Sequence, residues 1–342
     1  MPHRTFFWFI LPSLAAMLLF IAAPIASVIV QSFHIQHEQV VTTVETCGPF
    51  GCTQETVVDA EATAKLRAES PMGRFNGFGN YIDRGHLAVS EVKDAWTQSS
   101  GLTDFIARIM NLPFYKALIF TLVYTFVVTP LVIVLGLAIA LGVNTLPKML
   151  KGPAIFVSLL PMIVTPLVGS LILFWMIDAQ GVIGKTLQVL TGDPNLSLKA
   201  STPLTWITLL TYGIWHSTPF AFIVYYAGLQ TVPSETLEAA MIDGANRWER
   251  IRYVVVPHLA PLTIFIMLIQ FMDNFRVFEP IVGFSAGANA SSLSYSIYSD
   301  LRGDVARFNS AATTSVLTIL GVAILLTPVL IRTWHDFNRK RA

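Results

Sequence analysis

Six apolar runs constrain this chain before anything else does. They cover about Phe6–Val30, Lys116–Val143, Pro153–Ile177, Pro203–Gly228, Leu259–Gly283 and Ala311–Ile331. A helix rises 1.5 Å per residue, so about 20 apolar residues cross a hydrocarbon core of about 30 Å, and each run is long enough. Inside such a core every backbone polar group must be satisfied within the protein, which leaves helices as the expected spans. Pro130, Pro161, Pro166 and Pro219 sit inside the runs, where neighbouring helices can re-satisfy the freed backbone groups. The first run could also be a cleaved signal, with Ala22, Ala23 and Ala26 near a cut, but signal cores run about 7–15 residues. A retained first helix is therefore expected over residues 1–33. Charged residues are only 13% of the chain, against about a quarter in soluble domains.

Several classes of function are excluded early. The net charge of +1 argues against nucleic-acid binding. No GxxxxGK[ST] loop, no HExxH and no clustered Cys/His set occurs, so neither catalytic nor metal-ligating residues are expected. If ATP drives this protein, another subunit binds it. Residues 34–113 read as a polar insertion, ten acidic and six basic residues mixed with Gly, Ser and Thr over Gln31–Pro113. They contain the only two cysteines, Cys47 and Cys52, around Gly48-Pro49. A structural disulfide is the expected state in an oxidising compartment, with free thiols the alternative. Residues 114–342 then hold five spans and a loop at about 231–257.

That loop, Pro233–Pro257, is the longest polar interruption in the second half of the chain. It reads as two short helices meeting at Asp243-Gly244, with Ser234 as an N-cap and Glu235 and Glu238 near the positive end of the first dipole. Arg247, Arg250 and Arg252 follow. Together with Arg4, Lys148, Lys151, Arg332, Arg339, Lys340 and Arg341 they outnumber the basic residues of the opposite short loops, Lys185, Lys199, Arg302 and Arg307. The bias puts this loop and both termini in the cytoplasm and the cysteine pair outside.

The order Glu238-Ala239-Ala240, three residues, Gly244, nine residues, Val254-Val255-Val256-Pro257 resembles the EAA motif of ABC-importer permeases. Val254 and Val256 replace the usual Ile and Leu. Gly77-Phe78-Gly79-Asn80-Tyr81 resembles an element that follows the first helix in the sugar-importing members, although the Gly-Gly-Pro usual before the last helix is missing near Gly287–Tyr298. The resemblance implies an all-α integral membrane fold with six transmembrane helices. It implies an ABC type I importer permease core of the maltose-transporter kind, here with a large periplasmic insertion between helices 1 and 2.

It also implies a multi-pass protein of the bacterial inner membrane. The expected partners are a second, homologous permease, two copies of an ABC ATPase and a periplasmic solute-binding protein. ATP and Mg would be bound by the ATPase, leaving no cofactor in this chain. Glu238, Ala239, Ala240, Gly244 and Pro257 would belong to the coupling loop.

Polar side chains at membrane depth are costly and need a reason. Two clusters stand out: Trp215-His216-Ser217-Thr218-Pro219-Phe220 in the fourth run, and Gln270, Asp273, Asn274 and Arg276 in the fifth. They are either glue between helices or a sugar site, in which aromatic faces stack on rings and amides hold hydroxyls. Asp273 and Arg276, three apart, could pair. The resemblance favours a sugar site, because family contacts come from the helices flanking the EAA loop. An importer for a polyamine or phosphate, or a secondary transporter working alone, is the rival.

Overall fold

The computed structural model describes residues 3–37, 39–48, 51–303 and 306–339. Among the described residues, five helices are long and apolar enough to cross a membrane: Phe6–Ser32, Pro113–Thr145, Thr202–Leu229, Arg247–Phe275 and Phe308–Arg332. The remaining run differs from the single span expected. Lys148–Ile163 and Pro166–Met176 are separate helices bent by 93°. Val164 and Thr165 are extended at the break. The cause is local: the ring of Pro166 disfavours the helical conformation for Thr165, and proline has no N–H to continue the ladder. Counting the bent pair as one span gives six.

Two helices widen instead of breaking. The first span has a π turn at Leu18–Ala22, ahead of Pro24, and the fifth has one at Ile251–Val255, ahead of Pro257. In each case the next N–H reaches back five residues, Ala23 to Leu18 and Val256 to Ile251. The wider turn moves the proline ring off the carbonyl it would strike.

The chain divides into two compact units, Met1–Tyr115 with Ser296–Ile319, and Lys116–Tyr295 with Leu320–Ala342. In the first, the Asn80-Tyr81 element locks the end of the first span. Asn80 Nδ2 donates to Ser32 O at 2.9 Å and to His34 O at 2.6 Å. The Tyr81 and Ser32 hydroxyls are 2.6 Å apart. Asn309 donates to Gln31 O at 3.1 Å, and Thr313 to Ser32 O at 3.3 Å. The last carbonyls of a helix have no partner within it, and these side chains supply partners. The same unit carries two antiparallel ribbons, His34–Ile35 with Arg74–Phe75, and Val41–Gly48 with Gly51–Val58. Cys47 and Cys52 are register partners in the second ribbon. Their side chains lie outside the described residues.

The second unit is built on a fully buried core that includes Phe120, Val128, Leu209, Phe222, Leu259, Ile266 and Ile281. Helices approach closely where one side is glycine. A Cβ on Gly136 would lie 2.6 Å from the Cβ of Ala221 and 2.9 Å from the backbone nitrogen of Phe222. A buried threonine ladder, Thr121, Thr125 and Thr129, runs down the same helix at four-residue intervals. Thr121 Oγ1 accepts from the Leu293 N–H at 3.2 Å, and Thr129 Oγ1 accepts from Asn274 at 3.0 Å.

Candidate functional site

The loop resolves into one short helix, Ser234–Ile242, followed by a turn and the start of the fifth span. The second short helix expected from the sequence is thus the end of a membrane helix. Ser234 is also not a cap: the helix begins on it, after Pro233, with no side-chain cap bond. Gly244 has φ +82°, a left-handed turn that favours glycine. The Ala245 N–H returns to Ala240 O at 2.9 Å, closing the turn. Asn246 and Glu249 then form a reciprocal capping box, with Asn246 Oδ1 accepting from the Glu249 N–H at 3.0 Å and Glu249 Oε2 accepting from the Asn246 N–H at 2.7 Å. The Asn-x-x-Glu spacing carries that signal in the sequence.

The surface of this loop is unusual for a polar segment. Glu238 and Ala239 are exposed and Ala240 is half-buried. Beside them Ile242 is 86% exposed and Trp248 79% exposed. An Ala-Gly surface flanked by bare apolar side chains suits close approach of another protein's backbone. Pro257 lies two residues beyond the π turn and fixes where the wide turn falls.

The membrane-depth polar residues do not converge on one point. His216 and Tyr212, four apart on the fourth span, face the break in the bent pair. His216 Nε2 lies 3.1 Å from Val164 O, and Tyr212 Oη donates to Pro166 O at 2.7 Å. Because a carbonyl only accepts, Nε2 carries the proton. These two bonds tie the break to the fourth span, His216 at the Val164 carbonyl where the first helix of the pair stops and Tyr212 at the first residue of the second. A Cβ on Gly169 would lie 2.8 Å from the Tyr212 oxygen, which is why the tyrosine can reach.

Gln270 and Asn274 share one buried face of the fifth span, as their spacing implied. Asn274 Nδ2 donates to Thr129 at 3.0 Å and lies 3.4 Å from Gln270 Oε1. Asp273 points the other way. It pairs with Arg276 at 3.1 Å, with side chains 52% and 59% exposed, so it is not a buried charge. Phe220 packs on Phe265 of the fifth span, ring centroids 6.4 Å apart. Ser217 is half-buried on the same helix. Tyr212 and Thr129, which tie these clusters to other helices, were not singled out from sequence, since nothing local marks a partner far along the chain.

Five long apolar helices, a bent pair that can make a sixth span and a short exposed helix between Thr202–Leu229 and Arg247–Phe275 define a polytopic membrane protein. A family model described as binding-protein-dependent transport system inner membrane component matches residues 105–334. The chain belongs to that family and is an ABC importer permease. It is 29% identical over 244 residues to the sn-glycerol-3-phosphate transport system permease protein UgpA of Agrobacterium fabrum, covering 68% of this chain and 81% of that protein. It is 30% identical over 241 residues to the lactose transport system permease protein LacF of Rhizobium radiobacter, covering 65% and 77%. A chain of a bacterial ABC transporter involved in the import of the acidic polysaccharide alginate shares the fold, with a TM-score of 0.57 at 20% identity over 81% of this chain and 97% of that one.

Proposed function

We propose that this chain is one of two different permeases in an ATP-driven importer that moves a sugar or sugar-like solute across a bacterial inner membrane. The observation that carries the ATP-driven part is the exposed helix Ser234–Ile242 with its small residues and bare apolar neighbours. Glu238, Ala239, Ala240, Gly244 and Pro257 form the coupling loop. An ATPase subunit docks there and supplies ATP and Mg. A periplasmic binding protein delivers solute from the other side, where residues 34–113 lie with the Cys47–Cys52 disulfide. Both termini are cytoplasmic, in keeping with the basic residues of the short loops. The names of the relatives, lactose and glycerol phosphate among them, support a small hydroxylated cargo.

Within the membrane, the reading assigns cargo contact to the region of Phe220, Ser217, Gln270, Asp273 and Asn274. Phe220 is the residue with a ring to offer. Gln270 and Asn274 keep unused hydrogen-bonding capacity beyond their contacts with each other and Thr129. His216 is already engaged with Val164, which lowers its claim.

The decisive variant is Ala239→Trp. Gly244 is a poor choice, since any side chain strains its positive φ whether or not a partner docks. Ala239 is exposed and helical, so tryptophan there costs the isolated chain little. The expected result is a chain inserted at wild-type level that no longer co-purifies with the ATPase and no longer supports uptake. Co-purification at wild-type yield, with normal solute-stimulated hydrolysis, refutes the coupling role.

A further inference from the structure

Residues 34–113 are polar on average, but their last part is not uniformly so. The helices Val89–Gln98 and Leu102–Ile109 form a hairpin that leads into the second span. In the second of them, Leu102, Phe105, Ile106 and Ile109 follow the i, i+3, i+4, i+7 pattern of one apolar stripe, while Asp104 and Arg108 pair on the opposite side at 3.2 Å. A stripe of this kind ordinarily packs on a core. Here only part of it does, where the Phe105 ring meets the Trp96 ring edge-on with centroids 5.1 Å apart. Leu102 is 71% exposed and Trp96 61% exposed, and Val89 and Ile106 are also bare.

The hairpin is not a loose arm. Arg108 Nη1 donates to Gln98 Oε1 at 3.3 Å, and the Ser100 N–H donates to Asp104 at 3.2 Å, so polar bonds join the two helices and their turn. At its base the Tyr115 hydroxyl, on the first turn of the second span, donates to Leu87 O at 2.8 Å. Only residues 110–112 lie between Ile109 and Pro113, and the Leu112 N–H returns to Ile109 O at 2.8 Å in a compact turn. The apolar stripe is therefore held out in a fixed place.

The second span sets the depth of that place. No charged residue occurs between Lys116 and Lys148, and charge is costly inside hydrocarbon, so the membrane edge falls near Lys116. Pro113 stands about 4.5 Å from Lys116 along the helix. A chain of four residues reaches about 14 Å at most, and the compact turn keeps Ile109 well within that, close to the headgroup layer. This is where tryptophan is favoured, with its ring among apolar atoms and its N–H wet. Val89–Ile109 carries two basic residues, Lys93 and Arg108, against three acidic ones, Glu91, Asp94 and Asp104. Attraction to anionic headgroups therefore contributes little, and burial of apolar area is what holds the hairpin down.

We propose that the Val89–Ile109 hairpin is a lipid-binding surface lying in the membrane interface, with Trp96, Leu102 and Ile106 inserted among the upper acyl chains. The lipid surface is the occupant because the hairpin is continuous with a membrane span that already enters it. Part of the region expected to face water is thus embedded at the membrane surface, and the path into the second span is anchored on both sides of residues 110–112.

The test puts the photocrosslinker p-benzoyl-phenylalanine in place of Leu102, Ile106 or Ala107 in the full chain, assembled with its partners in native membranes, and identifies the products by mass spectrometry. Phospholipid adducts are expected from Leu102 and Ile106 at about five-fold or more the level from Ala107, which is exposed on the polar side. Crosslinks from Leu102 and Ile106 to another protein in place of lipid, equal lipid adducts from all three positions, or no adduct from any position overturns the proposal. Should a substitution prevent insertion, wild type and Trp96→Phe are compared in nanodiscs of lipid brominated near the top of the acyl chain. The emission that Trp96 contributes should fall about two-fold or more relative to unbrominated lipid. Trp96 emission that bromine leaves unchanged overturns the proposal.

Discussion

Gly136 and Gly142 lie six residues apart in one membrane helix, yet the same substitution should have opposite effects at the two positions. An alanine methyl at Gly136 would meet Ala221 Cβ at 2.6 Å, Phe222 N at 2.9 Å and Ala221 C at 3.0 Å. Carbon contacts are most favourable at about 3.5–4.0 Å, so the two helices would have to separate by about 1 Å. Ala221 and Phe222 have no exposed surface, and two of the three atoms met are backbone, so no side-chain rotation relieves the clash. Overpacking of this kind typically costs about 1–3 kcal/mol. At Gly142 the same methyl meets nothing within 4 Å. Replacing glycine by alanine inside a helix gains about 0.5–1 kcal/mol at either site, so this gain cancels in the comparison. Gly142→Ala should therefore be neutral or stabilising, and Gly136→Ala should be less stable than it by about 1–3 kcal/mol. Denaturation of the two purified variants in the same detergent measures that difference directly. Equal midpoints would refute the close approach of the second and fourth spans at this point.

Two further tests address charges. Arg276 follows Phe275, the last residue of the fifth span, and its pair with Asp273 is about half exposed; a pair that water screens contributes about 0–1 kcal/mol, so Asp273→Ala should leave assembly near wild type and Arg276→Ala should add little. Loss of the complex in Asp273→Ala, with rescue by the double change, would show that the pair is buried in the assembled protein. Outside the membrane, Lys199 Nζ bonds Asp178 at 3.0 Å and lies 3.2 Å from the Phe174 ring centroid. That hydrogen bond holds the Asp178 carboxyl below the usual carboxylate range. A depressed folded pKa gives stability that is present above the unfolded value, about 4, and lost as pH falls through the folded value. Protection factors for amides in residues 177–200 should be independent of pH around neutrality, where the pair is intact, and fall as pH drops through the folded pKa, with Asp178→Asn removing that fall; an unchanged acid profile in that variant would refute the link.

The spans were legible because hydropathy is a sum over about 20 residues and tolerates local error. The bend at Val164–Thr165 was not, because a window of that length averages over a break. Pro166 was visible in the sequence, but proline inside an apolar run is compatible with both outcomes. Pro219 shows the other one, lying within the unbroken helix Thr202–Leu229. The outcome also depends on partners distant in sequence: His216 and Tyr212, which hold the two sides of the break, stand 52 and 46 residues away from Val164 and Pro166. Gln270 and Asn274 sat on one face as spacing required, while their partner Thr129 is 145 residues distant from Asn274. The glycine turn at 244 was legible because a single residue type answers a single backbone need.

The same geometry bears on how a push at the loop would travel. Four residues, 230–233, separate the end of the fourth span at Leu229 from the short helix, and four more, 243–246, separate Ile242 from the start of the fifth span at Arg247. The first connector is held by Thr231, whose hydroxyl donates to Gly228 O at 2.8 Å and lies 3.1 Å from His258 Nε2 on the fifth span. The second is fixed by the Gly244 turn and the Asn246–Glu249 box. Under the proposed function, a displacement of Ser234–Ile242 has little slack in which to be absorbed. It reaches two helices at once: the fourth, which carries Phe220 and the His216 contact with the break, and the fifth, which carries Gln270 and Asn274. Coupling through short, capped connectors is also asymmetric. Loosening Glu249→Ala should decouple only the fifth span, so hydrolysis would continue while uptake per ATP falls.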